Sequence, residues 1–173
     1  KRQEHFGFDE HDVWTMFHSY AFDFSVFEMW GPLLFGGELV IVDQPTTRDP
    51  VRFAQLLRQF SVTVVSQTPS AFYQLASAVR GDAATPLASS VKFVVFGGEA
   101  LDFAQIGRWY ANRSNDAERD EATVPGPQLV NMYGITETTV HTTVRFLDAD
   151  FVEHAHGSDV GGGLPGLRVH LLD

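Results

Sequence analysis

The sequence contains no cysteine, which excludes disulfide bonds, thiolate metal sites and cysteine nucleophiles. Basic residues are also few: 12 Lys and Arg stand against 22 Asp and Glu, and the net charge is −10. No basic run is present, so we expect no nucleic-acid partner. No apolar run reaches the roughly 18 residues that a membrane-spanning helix needs, and no signal peptide is recognisable. The sequence therefore predicts a cytoplasmic protein with no membrane partner.

The composition and the hydrophobic pattern predict an α/β fold. The 173 residues are 44% hydrophobic and include 15 Phe, enough for a core rich in aromatic rings. Short apolar runs at 39–42, 62–65, 91–96 and 129–133 alternate with segments of helical spacing, which begin after Asp49, Thr68 and Asp102. Strands that are apolar on both faces are typical of parallel sheets covered by helices. We therefore expect a doubly wound, mostly parallel sheet flanked by helices.

Three local patterns give further predictions. Ser25 and Glu28 have the spacing of a capping box at the start of a helix. Residues 112–127 are polar and end in Pro-Gly-Pro, which predicts a surface loop. Residues 161–166 match the dinucleotide-binding pattern G-x-G-x-x-G, but we reject that site because Pro165 lies inside the pattern and residues 167–172 read as a strand rather than a helix.

The predicted fold also indicates where a ligand would bind, because open α/β sheets bind ligands at the carboxyl ends of their strands. Those ends carry residues 66–68, 97–99 and 131–134, which could equally be simple turns. Asp23 stands among aromatic residues and is either part of a helix cap or a partly buried carboxylate that pairs with a ligand ammonium. Residues 133–139 combine an aromatic ring, a hydroxyl and a carboxylate. That set suits a nucleotide with Mg²⁺, although a Thr-rich turn fits it too.

Four ordered segments resemble the adenylation domains of nonribosomal peptide synthetases, within the acyl-adenylate-forming superfamily. Residues 22–28 (FDFSVFE) are similar to the family motif Phe-Asp-x-Ser-Val-x-Glu, and residues 67–72 (QTPSAF) and 96–101 (FGGEAL) also resemble family segments. Residues 131–137 (NMYGITE) are similar to Asn-x-Tyr-Gly-Pro-Thr-Glu, with Ile135 where proline is usual. The resemblance implies that residues 1–173 form a single flavodoxin-like α/β subdomain, a fragment of a larger adenylation domain.

The resemblance also implies a reaction and the residues that serve it. Such domains join an amino acid to ATP, releasing pyrophosphate, and then load the acyl group onto a carrier-protein phosphopantetheine thiol. By position, Thr136 and Glu137 would be catalytic, the first at the α-phosphate and the second holding Mg²⁺. The implied nucleotide-binding residues are Gly98, Glu99, Ala100, Asn131, Tyr133 and Thr136.

The amino-acid pocket implied by the resemblance has Asp23 as the ligand of the substrate ammonium. Its residues are Asp23, Phe24, Phe27, Ser66, Val95, Gly97, Met132, Val140 and His141. This set resembles the threonine-selecting pattern of the family and differs from it at Phe27, Ser66 and Val95. All three differences reduce side-chain volume, so a larger β-hydroxy amino acid is the open alternative to threonine.

Several parts that the family needs are not found in this sequence, including the phosphate loop, the ribose-binding Asp and the catalytic Lys. We therefore expect the substrate-selecting part of an enzyme, which works with the rest of an adenylation domain and has little activity alone. The alternative of another class is a non-catalytic flavodoxin-like module that binds a nucleotide or flavin, or that docks neighbouring domains.

Overall fold

The computed structural model of the chain describes residues 6–80, 87, 89–117, 126–155 and 157–170. Across these ranges, one sheet has the strand order β2-β1-β3-β4-β5-β6-β7. The first five strands are parallel, and β6 and β7 are antiparallel to their neighbours. The predicted mostly parallel sheet is therefore confirmed. The strands are β1 Val13–Met16, β2 Glu38–Ile41, β3 Val64–Gln67, β4 Phe93–Phe96, β5 Gln128–Tyr133, β6 Thr143–Leu147 and β7 Gly162–Gly163.

The helices connect these strands, and their starts follow simple capping rules. Asp49 caps α3 because its carboxylate accepts hydrogen bonds from the backbone N–H groups of Val51 and Arg52, and Pro50 occupies the first helical position. Thr68 and Pro69 begin α4 in the same way, as the sequence predicts. The helices are α1 Phe24–Phe35, α2 Gln44–Thr47, α3 Pro50–Gln59, α4 Pro69–Arg80, α5 Phe103–Ala117 and α6 Ala149–His154, with a 3₁₀ turn at Thr136–Thr138.

Alternating strand residues divide the core into two faces, which we call the closed face and the site face. On the closed face, Val65, Val94 and Leu129 pack under α3, α4, α5 and α6. On the site face, the neighbouring residues Val64 and Val95 pack under α1 and the aromatic residues of the amino-terminal segment. Helices thus cover both faces of the sheet, which confirms the doubly wound architecture. The site-face cluster is Phe6, Phe8, Trp14, Phe24, Phe27, Val64, Val95, Val130, Met132 and Leu164.

The amino ends of β1, β3 and β4 are joined by a buried carboxylate. Asp12 is only 1% exposed and accepts hydrogen bonds from Thr63 Oγ1 at 2.8 Å and Lys92 Nζ at 2.9 Å. Burial acts to raise the pKa of Asp12, but the hydrogen bonds from Lys92, Thr63 and the backbone of Asp9 lower the pKa by more, so it lies below its usual value. These side-chain contacts occupy the amino-terminal edge of the sheet. A ligand site is therefore expected at the other edge, at the carboxyl ends of the strands.

Three local predictions are wrong. The predicted capping box at the start of α1 does not form, because Ser25 is buried inside the helix and Glu28 turns to His18 instead. The predicted surface loop is helical at its start, since residues 112–117 contain no Gly or Pro and continue α5. No strand occupies residues 167–170, because a turn from Leu164 to Leu167 leads the chain away after β7. The rest of these two segments, 118–125 and 171–173, lies outside the described residues.

Candidate functional site

A polar cavity of about 250 Å³ lies at the carboxyl ends of the parallel strands. Three loops build it, and they follow β1, β4 and β5. The chain reverses its winding direction between β1 and β3, because β2 lies on one side of β1 and β3 on the other. Such a switch point opens a crevice at the strand ends. The lining residues are Phe22, Asp23, Phe24, Gly98, Gly134, Ile135, Thr136, Glu137, Val140 and His141.

Two predicted site residues meet directly in this cavity. The hydroxyl of Thr136 donates a hydrogen bond of 2.7 Å to Oδ2 of Asp23, across 113 positions of sequence. Asp23 is half-buried at the start of α1, and its carboxylate makes no side-chain capping bond to that helix. The carboxylate therefore points to the loop after β5 and does not cap the helix.

Two glycines after β4 let the backbone approach the aromatic rings of the site. Gly98 has φ +81°, and a Cβ atom there would lie 2.9 Å from the ring of Phe22. At Gly97 a Cβ atom would lie 3.1 Å from Nε2 of His141 and 3.3 Å from the ring of Phe24. A side chain at either position would displace the groups that line the cavity, which explains the pair of glycines in this segment.

The predicted pocket residues are all on the site face, but they do not line a single cavity. Phe27, Met132 and Val140 line a neighbouring apolar groove of about 330 Å³, and Val140 borders both spaces. Ser66 and Val95 lie buried beneath them in β3 and β4. The aromatic wall between the two spaces is His141, whose ring contacts Phe24 and Phe27 edge-on with centroids 5.1 Å away in both cases.

Ser66 is the most informative of the buried residues. It is 1% exposed, and its hydroxyl oxygen is buried without a hydrogen-bond partner among the described residues. Leaving a buried hydroxyl unpaired costs free energy, on the order of 1–3 kcal/mol. A polar ligand group that reached Ser66 would recover that free energy.

The loop between the 3₁₀ turn and β6 has an unusual backbone. Thr139 and Val140 are both β-branched and both have φ 67°, in the left-handed region. Such residues cost about 1–3 kcal/mol each and cluster at functional sites. This peptide approaches Gly134 closely, since a Cβ atom there would lie only 2.3 Å from the carbonyl oxygen of Val140, so a side chain at position 134 would displace it.

The predicted nucleotide-binding residues are only partly brought together. Gly98, Glu99, Ala100 and Tyr133 are exposed at the carboxyl edge of the sheet. The carboxylate of Glu99 is already engaged, because it accepts hydrogen bonds from the N–H and the hydroxyl of Ser70 at the start of α4. The Glu99 carboxylate therefore binds the start of α4 in this structure, and Glu99 is not among the residues that line the cavity.

Asn131 lies apart from the other predicted nucleotide-binding residues. Its side chain follows the alternation of β5 towards the closed face, and its amide donates to the carbonyl oxygen of Asp159 at 2.8 Å. In this structure Asn131 fastens the segment before β7 to the sheet.

Glu137 lines the cavity and is exposed. Its carboxylate is the kind of oxygen ligand that Mg²⁺ takes from a protein when phosphate oxygens supply further ligands. Within the described ranges, no group of three His, Asp or Glu side chains gathers into a metal site. The residues present thus fit a Mg²⁺ ion that arrives with a nucleotide and is held by one protein carboxylate.

Sequence reasoning missed one buried pair next to the site. Nδ1 of His18 lies 2.9 Å from Oε1 of Glu28, and the backbone N–H of His18 donates to Oε2 at 3.0 Å. Their separation of ten positions exceeds any local capping pattern, so no signal in the sequence pointed to the pair.

Comparisons with known proteins identify the family of this chain. The family model described as "AMP-binding enzyme" matches residues 1–173. A dimodular nonribosomal peptide synthase of Bacillus subtilis (strain 168) is 50% identical over 168 residues, which make up 97% of this chain and 7% of that protein. Syringomycin synthase SyrB1 of Pseudomonas syringae pv. syringae is 46% identical over 171 residues, or 99% of this chain and 26% of that protein. The chain belongs to the AMP-binding enzyme family, and its resemblance to nonribosomal peptide synthetase adenylation domains is confirmed.

Solved structures show the same fold. The Vibrio cholerae adenylation domain AlmE, in complex with glycyl-adenosine-5'-phosphate, superposes with a TM-score of 0.70 at 20% identity, covering 93% of this chain and 27% of that one. CmiS6 superposes with a TM-score of 0.74 at 20% identity, covering 93% of this chain and 36% of that one. None of the helices in the described ranges is long and apolar enough to cross a bilayer.

Proposed function

We propose that this chain selects the amino acid in an ATP-dependent adenylation reaction, and that the amino acid is threonine. A carboxylate oxygen of the amino acid attacks the α-phosphorus of ATP, the bond from that phosphorus to the bridging oxygen breaks, and pyrophosphate leaves. The observation that carries the proposal is the 2.7 Å hydrogen bond between Asp23 and Thr136. It makes a proposed ammonium ligand and a proposed phosphate ligand immediate neighbours, as a reaction between these two substrates requires.

Asp23 holds the amino group in this proposal. A substrate ammonium supplies the cation that a half-buried carboxylate among aromatic residues needs. When the ammonium binds, it takes up the lone pairs of Asp23, and the hydroxyl of Thr136 is released to donate to an α-phosphate oxygen. The same pair of residues thus orients both reacting groups.

The preference for threonine rests on a mixed pocket. Ser66 and His141 are buried polar groups on an otherwise apolar face, and the hydroxyl of Ser66 has no partner among the described residues. A substrate hydroxyl satisfies that group, whereas valine leaves it unpaired. The substrate methyl group packs against the rings of Phe24 and Phe27.

The nucleotide lies along the edge formed by Gly98, Glu99 and Ala100, with the exposed ring of Tyr133 against the adenine. Glu137 is the residue that would hold Mg²⁺ when a nucleotide is bound, and the ion would supply charge stabilisation to the phosphates. The complex of AlmE with glycyl-adenosine-5'-phosphate supports an aminoacyl-adenylate product for this fold.

The remaining partners follow from the relatives. The chain spans 7% and 26% of the two relatives described above, so the remaining catalytic groups come from further polypeptide. A related structure contains both adenylation and PCP domains, which supports a phosphopantetheine carrier protein as the acceptor of the acyl group.

Amino-acid-dependent ATP–pyrophosphate exchange tests the proposal, with this chain inside a complete adenylation domain. The panel is the twenty amino acids and several larger β-hydroxy analogues. We expect the highest exchange with threonine, and a loss of at least about a hundredfold in Asp23→Ala because a buried charge pair is removed. A maximum on a larger hydroxy amino acid corrects the substrate, and no exchange with any amino acid in a folded domain refutes the function.

A matched pair of variants tests the pocket. Ser66→Ala and Thr15→Val each remove a buried hydroxyl that lacks a partner among the described residues, but Thr15 points to the closed face. We expect Ser66→Ala to lower the preference for threonine over valine about tenfold. Thr15→Val leaves that ratio unchanged. Equal ratios in both variants would contradict the assignment of Ser66.

A further inference from the structure

The pair of His18 and Glu28 is buried and connects the two ends of one loop. Glu28 is 0% exposed and the side chain of His18 is 9% exposed. Both carboxylate oxygens of Glu28 are engaged by the same residue, one by the backbone N–H and one by Nδ1 of the ring. A carboxylate only accepts, so Nδ1 carries the proton. A buried carboxylate is tolerated only where it is paired in this way.

The pair closes the loop that carries Asp23. His18 follows β1 and Glu28 lies in the second turn of α1, so residues 19–23 are clamped between them. Other hydrogen bonds of the loop run from the N–H of Phe22 to the carbonyl of Ser19 at 2.9 Å, from the N–H of Ala21 to Oγ of Ser19 at 3.3 Å, and from Thr136 to Asp23. The pair of His18 and Glu28 joins the two ends of the loop directly, so Glu28 helps to set the distance between the end of β1 and the start of α1.

The ring of His18 also holds both neighbours of Asp23. It stacks on the ring of Phe24, with centroids 4.7 Å apart and planes 19° apart. Its ring also contacts Phe22 edge-on at 5.4 Å. Phe22 and Phe24 line the polar cavity on either side of the Asp23 carboxylate. A shift of the His18 ring would move both of them and the carboxylate between them.

We propose that His18 and Glu28 are positioning residues for Asp23, which they hold in the position where its carboxylate meets the ammonium group of the substrate. The proposal rests on the function proposed above for Asp23. In this proposal Glu28 supports the site and does not cap the start of α1. The pair touches neither substrate, and it acts through the loop and the two aromatic rings.

This arrangement predicts a selective kinetic effect. Misplacing Asp23 weakens the contact with the amino acid, so the KM for the amino acid rises. Among the described residues, the hydrogen bonds and ring contacts of His18 and Glu28 stay within residues 17–28. The pair reaches the nucleotide residues indirectly, through the Phe22 ring beside Gly98 and the hydrogen bond between Asp23 and Thr136, so we expect the KM for ATP to rise less than the KM for the amino acid. A general loss of folding would instead change both constants equally and also the melting temperature.

The test uses three substitutions at the pair and one control substitution, all in the complete adenylation domain. Glu28→Leu removes both acceptors at similar volume, and His18→Phe keeps a ring on Phe24 but removes the Nδ1 donor. We expect each to raise the KM for the amino acid about tenfold to a hundredfold, in line with the loss of a hydrogen bond to a charged group. Glu28→Gln keeps one acceptor for the backbone and an amide that can donate to the other tautomer of His18, so it restores most of the affinity. His11→Phe changes an exposed histidine beside Glu10 and serves as the control.

Hydrogen–deuterium exchange of residues 17–24 in the same domain gives a readout that does not depend on activity. We expect faster exchange in Glu28→Leu and exchange like that of the unaltered protein in Glu28→Gln. If the unaltered domain shows no amino-acid-dependent exchange of pyrophosphate, the proposed function fails and with it the positioning of an ammonium ligand. An active domain whose Glu28→Leu variant keeps both its KM for the amino acid and its slow deuterium exchange overturns the positioning role alone.

Discussion

The two faces of the sheet are built from neighbouring residues of the same strands, yet they differ in how they are covered. The closed face lies under four helices, α3 to α6, and its cluster is a continuous apolar core. The site face lies under one long helix, α1, and opens into the apolar groove and the polar cavity. In β3, Val65 belongs to the first face, and Val64 and Ser66 belong to the second.

The difference teaches how one sheet can serve stability and selectivity at once. Most residues of the closed face belong to a continuous packed cluster, and a pocket of about 310 Å³ at this face is lined by residues of α2, α3 and α4. The site face instead opens at the strand ends into the cavity that contains Asp23 and Thr136. Substitutions on the closed face should therefore change stability, whereas substitutions on the site face should also change which ligand binds.

The largest effect that we expect comes from Phe72→Ala on the closed face. Phe72 in α4 is fully buried, and its ring packs edge-on against Phe96 with centroids 5.0 Å apart. We expect the free energy of unfolding, measured with urea, to fall by about 3–5 kcal/mol. The amino-acid preference in pyrophosphate exchange stays the same.

The counterpart on the site face is Phe27→Leu. Leucine largely fills the position, so we expect a loss of less than about 1.5 kcal/mol, but the preference among amino acids shifts because Phe27 lines the groove. The comparison of the faces breaks down if a folded Phe72→Ala domain changes its preferred amino acid and Phe27→Leu does not.

Two glycines in helices, one on each face, give the next prediction. At Gly31 in α1, a Cβ atom would lie 2.5 Å from the ring of Trp14, which is buried and cannot move aside. We expect Gly31→Ala to lower the free energy of unfolding by about 1–3 kcal/mol. At Gly107 in α5, a Cβ atom would lie 3.7 Å from Val152, an ordinary contact.

Gly107→Ala is therefore expected to raise the free energy of unfolding by about 0.5–1 kcal/mol, since alanine favours the helix. Changes of opposite sign in the free energy of unfolding would show that α1 packs more closely on Trp14 of β1 than α5 packs on Val152 of α6. Two losses of similar size would mean that the closed face is packed as tightly at Gly107 as the site face is at Gly31.

The sequence predicted those parts of the fold that depend on local patterns. Strands with continuous apolar runs and helices that begin at Asp49 or Thr68 are visible without any partner, because periodicity and capping are local. The strand-end rule also predicted that residues 66–68, 97–99 and 131–134 lie at one edge, and Gly98 and Gly134 from these segments line the cavity.

The parts that the sequence did not predict depend on distant partners. Glu28 has the spacing of a capping-box residue, but its carboxylate binds His18 instead of the backbone at the start of α1. This contact is visible only in the folded loop. β1 is short and pairs between two strands that come later in the chain, so its four residues carry no pattern of their own. Asn131 belongs to the family motif, but the alternation of β5 turns its side chain to Asp159.

The smallest effect concerns the rim of the closed face, where Asp159 pairs with Arg145. Nε of Arg145 donates to Oδ1 at 3.0 Å and Nη2 donates to Oδ2 at 3.2 Å. This contact lowers the pKa of Asp159 below its usual value, against the opposing effect of burial and with help from the N–H of Gly161. Because the pKa is lower in the folded state, the pair stabilises the fold above about pH 4 and the stabilisation is lost as the pH falls through the folded-state pKa.

Asp159→Asn is therefore expected to lower the free energy of unfolding by about 0.2–1 kcal/mol at pH 7, a small value because both side chains are more than a third exposed. Urea denaturation at intervals from pH 7 to about pH 2 checks this, and the gap between the two proteins should close at the acid end. Glu38→Gln, at an exposed position of β2, serves as the control. If the difference in free energy of unfolding stays constant with pH, Asp159 acts through its packing rather than its charge. If Asp159→Asn changes the amino-acid preference, this rim is coupled to the site face.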